Sequence, residues 1–171
     1  GSCEYSDVDG NIFHSVVIGN QRWMVENLKV THYRNGDNIL MEFSDTEWAN
    51  LSTGAYTFYD NEPLNAETYG NLYNWYAVDD FRGIAPQGWH VPTLDEWNEL
   101  VNYLGGSGVA GGKMKSIGTI EGGDGLWYFP NSGATNESGF SAVPGGHRDY
   151  FGPYNYLGIV ANFWTSTASD N

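Results

Sequence analysis

The sequence predicts one α+β domain with a mixed, mostly antiparallel sheet, one clear helix, a weaker second one and long irregular loops. Three features carry that expectation: hairpin patterns near the start, an amphipathic helix near the middle, and two short apolar runs toward the end, set apart by turn-forming residues. At 171 residues the chain suits a single domain over 1–171, large enough to bury a real core.

Residues 7–30 read as short extended segments divided by Asp9-Gly10 and Gly19-Asn20, pairs that suit tight hairpin turns. Phe13, Val16 and Ile18, then Trp23, Leu28 and Val30, recur mainly at even spacing and so put one face on a core. From 32 to 68 the pattern is broken by Asn35-Gly36-Asp37, Ser52-Thr53-Gly54 and Asn61-Glu62-Pro63. An irregular acidic excursion follows, with a short strand near 55–59. A short helix or helical turn is expected over 74–80, with Trp75 and Val78 facing inward.

The firmest element opens at Pro92-Thr93-Leu94-Asp95-Glu96-Trp97. Thr93 can cap the helix, and Glu96 stands three residues on, as a capping box requires. Leu94, Trp97, Leu100, Val101 and Leu104 form one apolar stripe, closed by Gly105-Gly106. The stretch 105–138 is dense in glycine and predicts mostly loop, while 140–143 and 163–167 read as core strands.

Composition narrows the function. Seven Lys+Arg against 21 Asp+Glu leave a net charge of −14, which repels phosphate backbones and anionic lipid headgroups. Nucleic acid is therefore excluded as a partner, and neutral or cationic partners are favoured. Cys3 is the one cysteine, so an intrachain disulfide and a four-cysteine zinc site are ruled out. No run approaches the roughly 20 apolar residues of a membrane span. Gly1-Ser2 reads as a cloning remnant, leaving Cys3 as either a lipidation site or a plain surface thiol.

The local motifs for catalysis are weak. Asp7, Asp9 and Asn11 imitate the start of a calcium loop, but Ile12 and Ile18 stand where the glycine and the bidentate Glu belong, so a hairpin turn is expected. Ca²⁺ held by distant loops, with Asp124 and Asp149 as candidate ligands, stays open; no other cofactor is expected. His14, His32, His90 and His147 share no metal-binding spacing, and His90 between Trp89 and Val91 reads as a packed core residue. Asp79-Asp80 and the Glu96/Glu99 pair read as solvated or capping groups rather than a glycosidase dyad.

One segment stands out. From His147 to Asn162, the residues Asp149, Tyr150, Phe151, Tyr154, Asn155 and Tyr156 sit among glycines and Pro153. Aromatic faces and amides on turn backbone are the mixture that binding loops use, although plugging of a loop-rich core would account for the same rings. These closely spaced aromatics cannot all enter one core. The ligand-binding expectation therefore falls on His147, Asp149, Tyr150, Phe151, Tyr154, Asn155, Tyr156 and Asn162, helped by Trp127 from the glycine-rich loop. Tyr154 and Tyr156 come first.

Several motifs, taken together and in order, resemble the Fibrobacter succinogenes major paralogous domain. They are Trp23-Met24-Val25-Glu26-Asn27-Leu28, the run from Tyr69 to Val78, Gly88-Trp89-His90-Val91-Pro92-Thr93 with Glu96-Trp97, Gly139-Phe140-Ser141-Ala142, Pro144-Gly145-Gly146, Arg148, and Phe163-Trp164-Thr165-Ser166-Thr167. The resemblance implies a C-type-lectin-like fold related to that of the formylglycine-generating enzyme. It also implies an extracytoplasmic, secreted or surface-exposed domain of gut Bacteroidetes, often lipid-anchored, with no established catalytic residues.

The enzymes of that fold work through a cysteine pair or a histidine-held iron, and this chain has neither motif, so a non-enzymatic adhesin or lectin-like domain for a glycan or protein ligand is expected. A structural module of a surface assembly and an enzyme with an unrecognised metal site are the alternatives. Relatives continue past the Trp164-Thr165-Ser166-Thr167 motif, so a carboxyl-terminal truncation is expected here. In some of them retroelements diversify this terminal region, and the Tyr, Asn, Ser, Asp and Gly content of 147–171 suits that.

Overall fold

The computed structural model describes residues 4–168, so Cys3 and its suggested lipidation lie outside the described residues. The α+β class holds: short helices are interleaved with three small sheets.

The two expected hairpins form one meander. Strands β1 (Glu4–Ser6), β2 (Ile12–Ile18) and β3 (Gln21–Met24) pair antiparallel in that order. Asp7 closes the first turn by accepting from the N–H groups of Asp9 (3.0 Å) and Asn11 (2.9 Å), so the acidic triplet is turn chemistry. Halfway along, β2 changes the face it buries. Phe13 stacks on Tyr5 and meets the edge of Trp89, whereas Ile18, with Val16 and Trp23, joins a different core.

The excursion from 32 to 68 is more ordered than its residue pattern suggests. Strands β4 (Leu40–Met41), β5 (Ala55–Thr57) and β6 (Leu72–Tyr73) make a second sheet, parallel between β4 and β5 and antiparallel between β5 and β6. Two helices were not anticipated there: α1 (Asp45–Asn50), capped by Ser44, and α2 (Pro63–Tyr69), with Pro63 at its start. Their periodicity is faint because α1 buries only Trp48 and α2 buries nothing. The expected short helix is α3 (Trp75–Val78). Asn74 caps it by accepting from Ala77 N–H (3.0 Å) and also ties down Ala55 N–H (2.9 Å), which joins the helix to β5.

Helix α4 (Leu94–Tyr103) has both arms of the capping box: Thr93 Oγ1 accepts from Glu96 N–H at 3.2 Å, and the Glu96 carboxylate accepts from Thr93 N–H at 2.8 Å. At the other end Gly106 N–H reaches Val101 O at 2.9 Å, with Gly105 at φ 104°. Leu100 and Leu104 are buried, while Leu94, at the first helical position, stays exposed. Around α4 lies one core, of Ile18, Leu100, Leu104, Met114, Phe140 and Ala142; a second gathers Val30, Tyr33, Ile39, Tyr56, Ala77 and Ile84.

The glycine-rich segment is mostly loop, as expected, and holds one short helix, α5 (Ala110–Met114), which buries Ala110 and Met114. Three expectations need correction. The expected strands at 140–143 and 163–167 do not form ladders. Ser141 at φ 60° breaks the first, leaving one bridge from Ala142 to Lys115, and the second runs unpaired with Ser166 N–H on Pro92 O. Their rings still serve the core through Phe140 and Phe163. His90 is not packed inside: its side chain is 68% exposed and its Nε2 lies 3.0 Å from the Glu96 carboxylate. Asp80 is likewise no solvated acid, being largely covered and paired with Arg82 at 2.8 Å. Among the described residues, no helix is long and apolar enough to cross a membrane.

Candidate functional site

The segment from His147 to Asn162 is held by a short hairpin, β7 (His147–Arg148) and β8 (Tyr154–Asn155). Arg148 anchors it. Its side chain is fully covered and donates to Gly152 O (2.7 Å), Glu42 O (2.5 Å), Phe43 O (2.9 Å) and the Asp45 carboxylate (3.1 Å). The guanidinium carbon lies over the rings of Trp48 (4.4 Å) and Tyr154 (4.9 Å). A buried cation with each of its three nitrogens donating to oxygen locks the hairpin to the start of α1. Gly152 is required at this contact: a Cβ there would lie 2.3 Å from Asp45 Cβ.

Above this anchor the predicted residues divide into three groups. Tyr150 and Phe151, 71% and 64% exposed, lean against each other at the hairpin tip, their ring centroids 3.7 Å apart and their planes tilted by 35°. His147, Asp149, Asn155 and Asn162 form a hydrogen-bonded network. His147 Nε2 lies 3.0 Å from Asp149 Oδ1, His147 Nδ1 lies 3.0 Å from Asn162 Nδ2, and Asn155 Nδ2 donates to Asp149 Oδ2 at 2.9 Å. Tyr156 flanks this network with its ring 5.5 Å from His147. It is 56% exposed and sits at φ 64°, a left-handed conformation that costs a bulky side chain energy. The strained backbone just past β8 thus aims the Tyr156 ring at solvent beside an imidazole, a carboxylate and two amides.

Two candidates leave the site. Tyr154 points beneath it, packing on Tyr59 at 5.3 Å with its hydroxyl on Asn61 Oδ1 (2.5 Å) and Thr57 Oγ1 (2.9 Å), and burial pushes its phenol pKa up. Trp127 is buried, its indole N–H donating to Ser116 Oγ at 3.0 Å. Strand alternation would put Tyr154 and Tyr156 on one face; the left-handed backbone of Tyr156, just past β8, sends the two rings apart. The proposed calcium ligands also part company. Asp124 accepts from Thr119 N–H at 2.8 Å to close its own turn, and Asp149 is taken up by His147 and Asn155. Among the described residues, no three His, Cys, Asp or Glu side chains gather as a metal site.

Beside Tyr156 lies a patch the sequence reading did not single out. Ile120, Tyr128 and Ile159 are exposed, and the Tyr128 ring closes over Gly158, 2.7 Å from where a Cβ would stand. Nothing in the spacing of these residues joins them; Tyr128 N–H on Gly158 O (2.8 Å) does.

The sequence profile of the Fibrobacter succinogenes major domain matches residues 16–171. The chain belongs to that family. No curated protein and no solved structure matches it. In this Fibrobacter succinogenes major domain, the shared-looking residues Thr93, Glu96 and Arg148 do architectural work, as cap, box partner and hairpin anchor. The exposed rings Tyr150, Phe151 and Tyr156 do none that the contacts account for.

Proposed function

We propose that the domain is a non-catalytic, extracytoplasmic binding module of C-type-lectin-like type that holds a glycan or protein surface against Tyr150, Phe151, Tyr156 and Asn162. The observation that carries this reading is Tyr156, strained at φ 64° yet presenting its ring to water beside His147 and Asn162. Strain that contributes nothing to packing is retained where a site uses it. A sugar suits the chemistry: its C–H face stacks on an aromatic ring while its hydroxyls bond amide and carboxylate groups. The net charge of −14 favours neutral or amino sugars over anionic ones.

The test pairs a glycan array with pull-down from mucus and from bacterial surface extract, run on the domain and on Tyr156→Gly. Retention of a glycan or glycoprotein that the variant loses supports the reading. Retention unaffected by the variant, or stoichiometric iron, copper or zinc resisting chelation in the purified protein, overturns it.

A further inference from the structure

The four polar side chains of the candidate site form one relay, and hydrogen-bond chemistry gives it a direction. His147 and Asn155 are register partners in the β7–β8 hairpin, which brings both against Asp149. An ionised carboxylate can only accept. Asp149 takes Asn155 Nδ2 on Oδ2 at 2.9 Å and His147 Nε2 on Oδ1 at 3.0 Å, so the imidazole proton is on Nε2. The lone pair of the neutral ring is then at Nδ1, where Asn162 Nδ2 meets it as the donor at 3.0 Å. One carboxylate thus turns two amides the same way, each with its N–H inward and its carbonyl oxygen left over. Among the described residues neither Asn155 Oδ1 nor Asn162 Oδ1 accepts a hydrogen bond, and neither is sealed from water. All four groups lie within 147–162 and bond one another, so the direction is set inside the segment itself.

We propose that Asp149 is a positioning residue that holds both amides carbonyl-outward and so makes the face select a hexosamine over sugars presenting carboxylate or sulfate oxygens. The inference rests on the binding role proposed for Tyr156 and Asn162. Both Asp149 oxygens are engaged in the relay, so the polarity open to a ligand is that of the two carbonyls. A hydroxyl turns to suit either a donor or an acceptor, whereas an ammonium or acetamido N–H only donates, so the N–H is the group that reads the direction. A carbonyl facing an oxygen that cannot donate leaves both atoms unpaired. The sugar ring lies on Tyr156, whose own ring is 5.5 Å from His147 and so within one residue of the relay.

The test uses Asp149→Asn, which keeps the shape of the side chain. An amide accepts on one side and donates on the other, so in the variant either Asn155 or Asn162 must turn over. NMR of the ligand-free domain, at mildly alkaline pH where histidine is neutral, is expected to show the imidazole proton on Nε2 and the Asn162 amide protons in contact with His147 Hε1. The variant is expected to lose the inward contact of one asparagine. On a glycan array the domain is expected to prefer hexosamine-bearing glycans to uronic and sulfated ones, and the variant to weaken that preference by about fivefold. A proton on Nδ1, amide protons of either asparagine facing outward, a variant that turns neither amide, or retained glycans that are uronic or sulfated would overturn the proposal. Retention that Tyr156→Gly leaves intact would overturn the binding role and the ligand class together, while the amide contacts, read without ligand, judge the role of Asp149 separately.

Discussion

Replacing Tyr156 by glycine and by alanine separates what its backbone costs from what its ring does. At φ 64° a side chain with a Cβ pays about 1–2 kcal/mol that glycine avoids, while glycine gives up about 0.5–1 kcal/mol through the freedom of its unfolded chain. Both variants lose the same ring, more than half of which is in water, so the lost packing is about 1 kcal/mol in each. The glycine variant is therefore expected to be about 0.5–1 kcal/mol more stable than the alanine variant, or roughly 2–4 °C in melting temperature per kcal/mol for a chain of this size. In regular structure the order is the reverse, which makes the sign diagnostic. Thermal and urea melts give the stabilities, and retention of a glycan or glycoprotein identified from the array gives the binding. Both variants are expected to lose that binding equally. An alanine variant at least as stable as glycine would refute the strain, and affinity held within about twofold by both variants would refute the role of the ring.

Thr93→Ala, which removes one arm of the α4 capping box, is expected to cost about 1 kcal/mol in a urea melt and to leave ligand retention unchanged. Arg82 holds the Asp80 carboxyl at about 2, below its ordinary 3.8. The pair therefore adds stability above about pH 4 that is lost as pH falls toward about 2, an effect of about 1 kcal/mol after solvent screening. Asp80→Asn should remove that step from an acid titration of stability. His14 is raised above 6.5 by the Glu26 carboxylate, 2.6 Å from its Nδ1. Its contribution is full below about pH 6.5 and disappears as pH rises through the raised value; stability measured across that window should lose this slope in His14→Gln.

Much of the scaffold was legible because its signals are local. The turns at Asp9-Gly10 and Gly19-Asn20, the Thr93/Glu96 box and the Gly105-Gly106 stop depend on neighbours within a few residues, and all stand where the spacing puts them. What escaped depends on distant contacts. Arg148 is covered because Glu42, Phe43 and Asp45 meet it from more than a hundred residues away, and no pattern around Arg148 reveals them. The strands expected at 140–143 and 163–167 failed for a related reason: apolar β-formers describe a buried segment but do not supply its partner strand. At the candidate site, composition singled out an exposed aromatic loop and could not tell its two faces apart. Tyr154 turns inward to the Arg148 anchor while Tyr156, two residues on, is swung outward by its own positive φ.

The measurement that tests the binding surface most directly is an amide NMR titration of the domain with a glycan or glycopeptide taken from the array. Shifts concentrated at Tyr150, Phe151, Tyr156 and Asn162, and absent in Tyr156→Gly, are the predicted result. Shifts confined to residues remote from His147–Asn162, or a full response in the variant, would contradict it.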